Sequence, residues 1–348
     1  MALVVLIAAL AQPQVRPAPA DPVKTVQQAR AASEAPILSA RLKALGRGFD
    51  GEVGIAVRDI DDGWTASFGG DQPFPQQSVS KLWVALAILD QVDQRKMALS
   101  DTLVVRKSDL SVFNQPLRKF VGEGGYATSI EKLLVGAIGQ SDNAANDLLM
   151  RHAGGPQAVQ ALIAARGLGA IRAGPGEKVM QTKVAGLSWR PEYSFDRTFW
   201  QDRDALSAET RAVNLDEYLR DPVDAATPEA IVAALTRLQK GELLSPASTA
   251  LLIRMMAESE TGQSRLRAGL APGWTLAHKT GTGQVMGVVA TGFNDVGILT
   301  APDGHAYAVA VMISQTRRPV PERQVLMAEV TRAVIAQHDA SAAQRISP

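Results

Sequence analysis

From Ser33 to Leu45, "SEAPILSARLKAL" repeats its apolar positions with the period of one buried helix face, and Gly46 and Gly48 follow as stop signals. "GEVGIAVRDI" then alternates apolar and polar residues like a half-buried strand. "DDG" supplies a turn, and "WTASFGG" returns as the hairpin partner. The run "KLWVALAIL" at 81–89 is apolar all round after its lysine, as a helix enclosed by other elements would be. "TLVVRKSDL" and a glycine turn at 122–125 lead to helices predicted from Ser129 to Leu134 and from Asn143 to Arg151. Two more helices fall within 228–257, with Pro228 and Pro246 in their first turns. The last third changes character: "GWTLAHKTGTG", "GVVATGFNDVGILT" and "AYAVAVMISQT" predict three antiparallel strands, and Glu322 to Gln337 a closing apolar helix.

The two ends therefore supply strands and flanking helices, while the middle is mainly helical. The predicted fold class is α/β, an antiparallel five-stranded sheet flanked by helices plus an inserted all-α domain. The sheet domain takes residues 33–77 and 258–340; the helical domain takes 78–257, with an extended loop at 177–228. Ahead of both, "MALVVLIAALA" is an apolar run too short to span a bilayer. Its small-x-small end, Ala9-Leu10-Ala11, reads as a signal peptide over 1–11, the alternative being a fraying apolar terminus. Residues 12–32, opening "QPQVRPAPADPV", read as a stiff Pro-rich linker. A secreted or periplasmic protein, free of the membrane in its mature form, is the expectation.

Composition narrows the chemistry. With 348 residues, 46% hydrophobic and 20% charged, the chain can bury one large or two medium cores. A net charge of +1 and no long basic run leave no electrostatic footprint for nucleic acid. The absence of cysteine excludes disulfides, thiolate catalysis and cysteine metal sites. His152, His278, His305 and His338 are scattered without ligand spacing, so no metal is expected. No cofactor is expected either: "GTGQVMG" lacks the G-x-G-x-x-G spacing and precedes no helix, and there is no G-x-S-x-G elbow. A monomer is the default.

Residues 76–89, "QQSVSKLWVALAIL", put a lysine at the mouth of a buried helix. Ser78 and Lys81 are three apart, about one turn on the same helical face. Desolvation pushes a lysine towards its neutral form, and a neutral amine beside a hydroxyl is a base beside a nucleophile. Taken alone, the pattern equally fits a capping Ser78 or Ser80 with Lys81 snorkelling to water. Two later motifs weigh against that: Ser141-Asp142-Asn143 in "QSDNAAN", and Lys279-Thr280-Gly281 in "AHKTGTG".

S-x-x-K, S-D-N and K-T-G in this order form the motif set of penicillin-binding proteins and class A β-lactamases, and each falls in its required setting of helix start, interhelical turn and late strand. The sequence resembles the class A serine β-lactamases over most of its length, including "GELLSPASTALLIRMM", "SRLRAGLAPGW" and Asn294-Asp295. The resemblance implies a β-lactamase-like fold, a small β-lactam as partner and Ser78 as the nucleophile that attacks the lactam carbonyl. Lys81 would take its proton, with the nearby cation Lys279 lowering the affinity of Lys81 for that proton. Ser141 would relay a proton to the departing nitrogen, and Asn143 would meet the substrate's side-chain amide. Lys279, Thr280 and Thr282 suit the substrate end of the strand, Lys279 and Thr280 towards a carboxylate. Gly281 would let a ligand lie against the strand, and the N–H groups of Ser78 and Thr282 would form an oxyanion hole.

Deacylation requires a held water. By resemblance, the residue that holds it is Glu177, 34 residues after Asn143 in "GPGEKVMQ", with Gln181 where the family carries asparagine and Met180 where it carries leucine. A solvated loop carboxylate is the alternative. After Gln181 the chain departs from the family: "RDPVDAATP" arrives only at 220–228, so several tens of residues are inserted. Trp189, Tyr193, Phe195, Phe199, Trp200 and Tyr218 give that insertion enough apolar surface to pack, either as a lid over the site or as a separate small core. His278 is expected to be structural, since neighbouring strand residues face opposite ways, and Phe113 to stand at the pocket rim.

Three functions fit this reading. One is a β-lactamase acylated at Ser78 and deacylated through Glu177. A DD-peptidase or esterase of the S-x-x-K superfamily that releases β-lactams slowly is the second, and a sensor domain that acylates once is the third.

Overall fold

A computed structural model describes residues 35–195 and 197–346; the expected signal peptide and linker lie outside the described residues. Helix α1 (Pro36–Gly48) carries Pro36 in its first turn and buries Leu38, Leu42 and Gly46, spaced four apart. Strands β1 (Gly51–Asp59) and β2 (Thr65–Phe68) form the predicted hairpin around the "DDG" turn, where Gly63 takes a φ of 82°. The late strands are β3 (Thr275–Thr282), β4 (Phe293–Thr300) and β5 (Ala306–Thr316). Their order is β2-β1-β5-β4-β3, antiparallel throughout, so the hairpin joins the last strand and the lysine-bearing β3 lies at the far end. Two short strands between β3 and β4, Val285–Met286 and Val289–Ala290, extend the sheet beyond the five predicted.

The alternation of β5 divides the interior. Tyr307, Val309, Val311 and Ile313 pack with α1 and the closing helix α11 (Val320–Ile346), while Ala306, Ala308, Ala310 and Met312 face the helical core. At the centre of that core is α2 (Lys81–Asp93), buried on every side from Lys81 to Asp90. Around it stand α3 (Ile130–Gly139), α4 (Asn143–His152), α5 (Gly155–Ala165), α9 (Pro228–Gln239) and α10 (Pro246–Ala257). Side chains of Ser129, Asp142, Thr227 and Ser245 cap α3, α4, α9 and α10, each contributing about 1 kcal/mol.

The segment read as an extended loop over 177–228 is largely helical. It holds α6 (Glu177–Val184), a 3₁₀ turn Pro191–Ser194, α7 (Thr198–Ala205) and α8 (Ala208–Arg220). Helix α8 buries only Leu215 and Tyr218, too few apolar positions to set up a visible period, and is started by Ser207, whose Oγ accepts the Thr210 N–H at 3.0 Å. The insertion has two small cores. One joins Tyr193 and Phe199 to Val112 and Ala185; the other joins Leu215 and Tyr218 to Met180 and Val184.

Candidate active site

Ser78 lies in a 3₁₀ turn, Gln77–Ser80, that runs directly into α2. This differs from the expected α-helical start and improves the pairing. In a 3₁₀ turn residues i and i+3 eclipse, so Lys81 stacks on Ser78 with Nζ 2.9 Å from Oγ. The turn also needs Gln77 at φ 54°, a left-handed conformation that costs a non-glycine residue about 1–3 kcal/mol. Asp224 offsets it by accepting the Gln77 N–H at 2.7 Å. Strand β3 crosses close by: a Cβ on Gly281 would lie 2.3 Å from the Gln76 carbonyl oxygen. Gly281 therefore clears space for the serine turn.

Lys81 Nζ is fully buried, with Ser141 O at 2.9 Å, Asn143 Oδ1 at 2.5 Å, Ser78 Oγ at 2.9 Å and Glu177 Oε1 at 3.1 Å. The Ser141 carbonyl and the Asn143 amide oxygen can only accept, so they take two N–H bonds. The remaining direction points between Ser78 and Glu177. Glu177 Oε1 is itself 3.4 Å from Ser78 Oγ, so the hydroxyl has both the amine and the carboxylate beside it.

Glu177 reaches this point from the first turn of α6. Gly176 offers that helix no side-chain cap; Asp147 on α4 supplies one, accepting the N–H groups of Glu177 at 2.7 Å and Lys178 at 3.0 Å. Burial, then the Glu177 charge, pushes the Asp147 carboxyl up from its ordinary value. Gln181 keeps the amide function expected of it: Nε2 donates to Glu177 Oε2 at 3.2 Å and to Gln77 Oε1 at 2.9 Å.

Lys279 Nζ donates to Ser141 Oγ at 2.9 Å, and Ser141 Oγ is also 3.3 Å from Lys81 Nζ, so one hydroxyl sits between two amines. Burial, and next the Lys81 cation, drive the Lys279 pKa well below the ordinary lysine value. Ser141 holds φ 59°, its carbonyl taken by Lys81 and by Asn114 Nδ2 at 3.1 Å. Asn143 gives one Nδ2 proton to Val112 O at 2.8 Å. Thr280 is buried and pairs with Thr261 through their hydroxyls at 2.8 Å, whereas Thr282 is exposed.

One residue of this wall was not foreseen. Arg265 donates to Thr282 Oγ1 at 2.6 Å and to the carbonyls of Gly281 and Asn294. It is nearly buried, stacks 3.8 Å from the Phe293 centroid, and has its pKa lowered by burial to about 10, so it stays cationic at neutral pH. Nothing local in "TGQSRLRAGL" marks it; only the approach of the loop to β3 does. His278 pairs through Nδ1 with Asp295 Oδ1 at 2.7 Å and alternates away from Lys279, consistent with a structural role. Away from the cleft, Asp59, Asp62 and His305 bring ligand atoms within 4.8 Å of one another. Asp59 Oδ2 there meets His305 Nε2 at 2.8 Å, and its Oδ1 accepts the amides of Asp61 and Asp62, which ties the hairpin turn.

The insertion touches both walls of the cleft. On the Asn143 side, Phe113 at φ 65° stacks on Trp200 at 5.1 Å between centroids and meets Phe199 edge-on at 4.9 Å. On the β3 side, Arg203, 4.5 Å over the Trp200 ring, donates to Val285 O at 3.5 Å, and Met286 packs on the second small core. Gln284 Nε2 closes the same side onto Gln181 O at 2.8 Å. The insertion is therefore a packed unit that also flanks the site.

A sheet-edge lysine that meets a serine–lysine–glutamate group through the Ser141 hydroxyl defines an active-site-serine enzyme of the S-x-x-K type. The profile of the Beta-lactamase enzyme family matches residues 37–338; the chain belongs to that family, among its class A serine members. The extended-spectrum β-lactamase PER-1 of Pseudomonas aeruginosa is 27% identical over 299 residues, 86% of this chain and 86% of that protein. The CTX-M-97 β-lactamase of Escherichia coli is 28% identical over 295 residues, 84% of this chain and 87% of its own length. Among solved structures, a β-lactamase from Chitinophaga pinensis superposes with a TM-score of 0.72 at 28% identity, covering 87% of this chain and 99% of that one. An ancestral class A β-lactamase gives 0.68 at 31% identity, covering 86% and 99%.

Proposed function

We propose that this protein hydrolyses β-lactams through an acyl-enzyme on Ser78, released by a water that Glu177 activates. The observation that carries the reading is the position of Glu177 Oε1, 3.4 Å from Ser78 Oγ and 3.1 Å from Lys81 Nζ. A carboxylate there can accept a proton from the serine, directly or through Lys81, and later from water. Ser141, hydrogen-bonded to Lys279, returns a proton to the lactam nitrogen as the ring opens. The N–H groups of Ser78 and Thr282 receive the oxyanion, and Asn143 the acyl amide. The substrate carboxylate meets Lys279, Thr280 and Thr282, with Arg265 adding a fixed cation behind Thr282.

The nearness of Glu177 favours this over a DD-peptidase or esterase that deacylates slowly. We also read the protein as secreted or periplasmic and monomeric, with the cleft between a sheet domain (33–77, 258–340) and a helical one (78–257). Nitrocefin decides the main point: many turnovers per enzyme support hydrolysis, and a single stoichiometric burst contradicts it.

A further inference from the structure

Behind α6, a cavity of about 480 Å³ opens between α5, α6 and α8. That size lies within the roughly 300–1,000 Å³ of small-molecule sites. Its apolar wall includes Pro156, Val179, Met180, Val184 and Tyr218, and the charged side chains that reach it are Lys183, Glu217 and Asp221. They place one cation and two carboxylates on the lining. Asp221 is already engaged by Arg172 at 2.5 Å, so Glu217 is the carboxylate left to meet a ligand's cation.

The wall is connected to the reaction centre by buried hydrogen bonds. The Tyr218 ring lines the cavity while its hydroxyl accepts from Gln77 Nε2 at 2.6 Å and donates to Asp224 Oδ1 at 2.9 Å. Gln77 Oε1 accepts from Gln181 Nε2 at 2.9 Å, and that amide also donates to Glu177 Oε2 at 3.2 Å. Gln77 is, besides, the residue before Ser78. A molecule that displaces Tyr218 or α8 therefore changes the partners that orient Glu177, whereas one that binds both arrangements equally changes nothing.

We propose that this cavity binds a small apolar molecule carrying one cationic amine, its body against Met180, Val184 and Tyr218 and its amine at Glu217. Occupancy lowers turnover at Ser78 through the Tyr218–Gln77–Gln181 chain. The second statement rests on the reading of Glu177 as the deacylating base; the first does not.

The test titrates 1-naphthylmethylamine, with 1-naphthylacetate as its anionic counterpart, into the protein by calorimetry and into nitrocefin turnover. The amine should bind saturably at one site, roughly fivefold more tightly than the acid, as a partly exposed ion pair allows. Gln157→Trp, on α5 at the cavity and remote from Ser78, should remove binding and leave nitrocefin turnover in place; Glu217→Gln should erase the preference for the amine. The amine should lower kcat in a manner that added nitrocefin does not relieve, and Tyr218→Phe should retain binding while losing that effect. Absence of saturable binding, or binding that Gln157→Trp leaves intact, overturns the site. Equal affinity for the acid overturns the amine, and binding with unchanged kcat overturns the coupling. A wild-type protein that binds the amine but does not turn over nitrocefin refutes the β-lactamase reading alone.

Discussion

Replacing Asp147 by alanine tests whether α6 is held in place from outside itself. The carboxylate accepts the Glu177 and Lys178 N–H groups at 2.7 and 3.0 Å and Ser111 Oγ at 3.0 Å. Bonds to a charged acceptor contribute roughly 1.5–3 kcal/mol each, so the two amide bonds amount to about 3–6 kcal/mol. Against this stands the burial that pushes the Asp147 carboxyl up, a penalty removed along with the side chain. A net loss of about 2–3 kcal/mol in the placement of Glu177 remains, equivalent to a roughly 30- to 150-fold slower deacylation. Lys81 keeps its own 2.9 Å contact with Ser78 Oγ when Glu177 is displaced, so acylation retains a base and should slow far less than deacylation. Rapid mixing with nitrocefin should then show a full burst followed by a slow steady state, and intact-mass spectrometry should show the accumulated adduct. A steady state within about threefold of wild type, or a burst slowed as much as the turnover, would refute the reasoning.

Ser78→Ala should abolish covalent labelling by penicillin in intact-mass spectra, and an adduct on that variant would assign the nucleophile elsewhere. Trp200→Ala should shift the ratio of kcat/KM between β-lactams with bulky and small acyl side chains by roughly threefold or more, because its stacking fixes Phe113 beside Asn143. Lower stability with an unchanged ratio would make the insertion only a separate core. Burial pushes the Asp224 carboxyl up to about 6 from 3.8. Its folded value exceeds its unfolded one, so the native state holds more protons in that window and stability falls as pH rises from about 4 to 6, by roughly 3 kcal/mol for this group. Urea midpoints across that range should show a decline that Asp224→Asn flattens; an undiminished slope in the variant would contradict it.

How much of this was legible in the chain depended on distance along it. Ser78–Lys81, Ser141–Asn143 and Lys279–Gly281 are local patterns that carry their own settings, and the strands of the last third alternate plainly enough to be read directly. The helices of 177–228 were hidden because α8 buries only Leu215 and Tyr218 and the aromatic residues of the segment pack around turns. Asp147, Arg265 and the link from Tyr218 to Gln77 were hidden for a different reason. Each acts on a residue at least 16 positions away, through a contact that only the folded chain creates. The lysine question shows the same limit: the motif predicts a buried amine beside a serine, but the carboxylate beside that amine comes from a helix about a hundred residues further on.

The central claim is that Glu177 releases what Ser78 acquires. Intact-mass spectrometry of Glu177→Ala after mixing with a penicillin, with peptide mapping of the product, tests it most directly. The account predicts a persistent adduct of one penicillin on the Ser78 peptide, which the wild-type protein clears within the same interval. Clearance by the variant at the wild-type rate, or an adduct mapped to another residue, would contradict it.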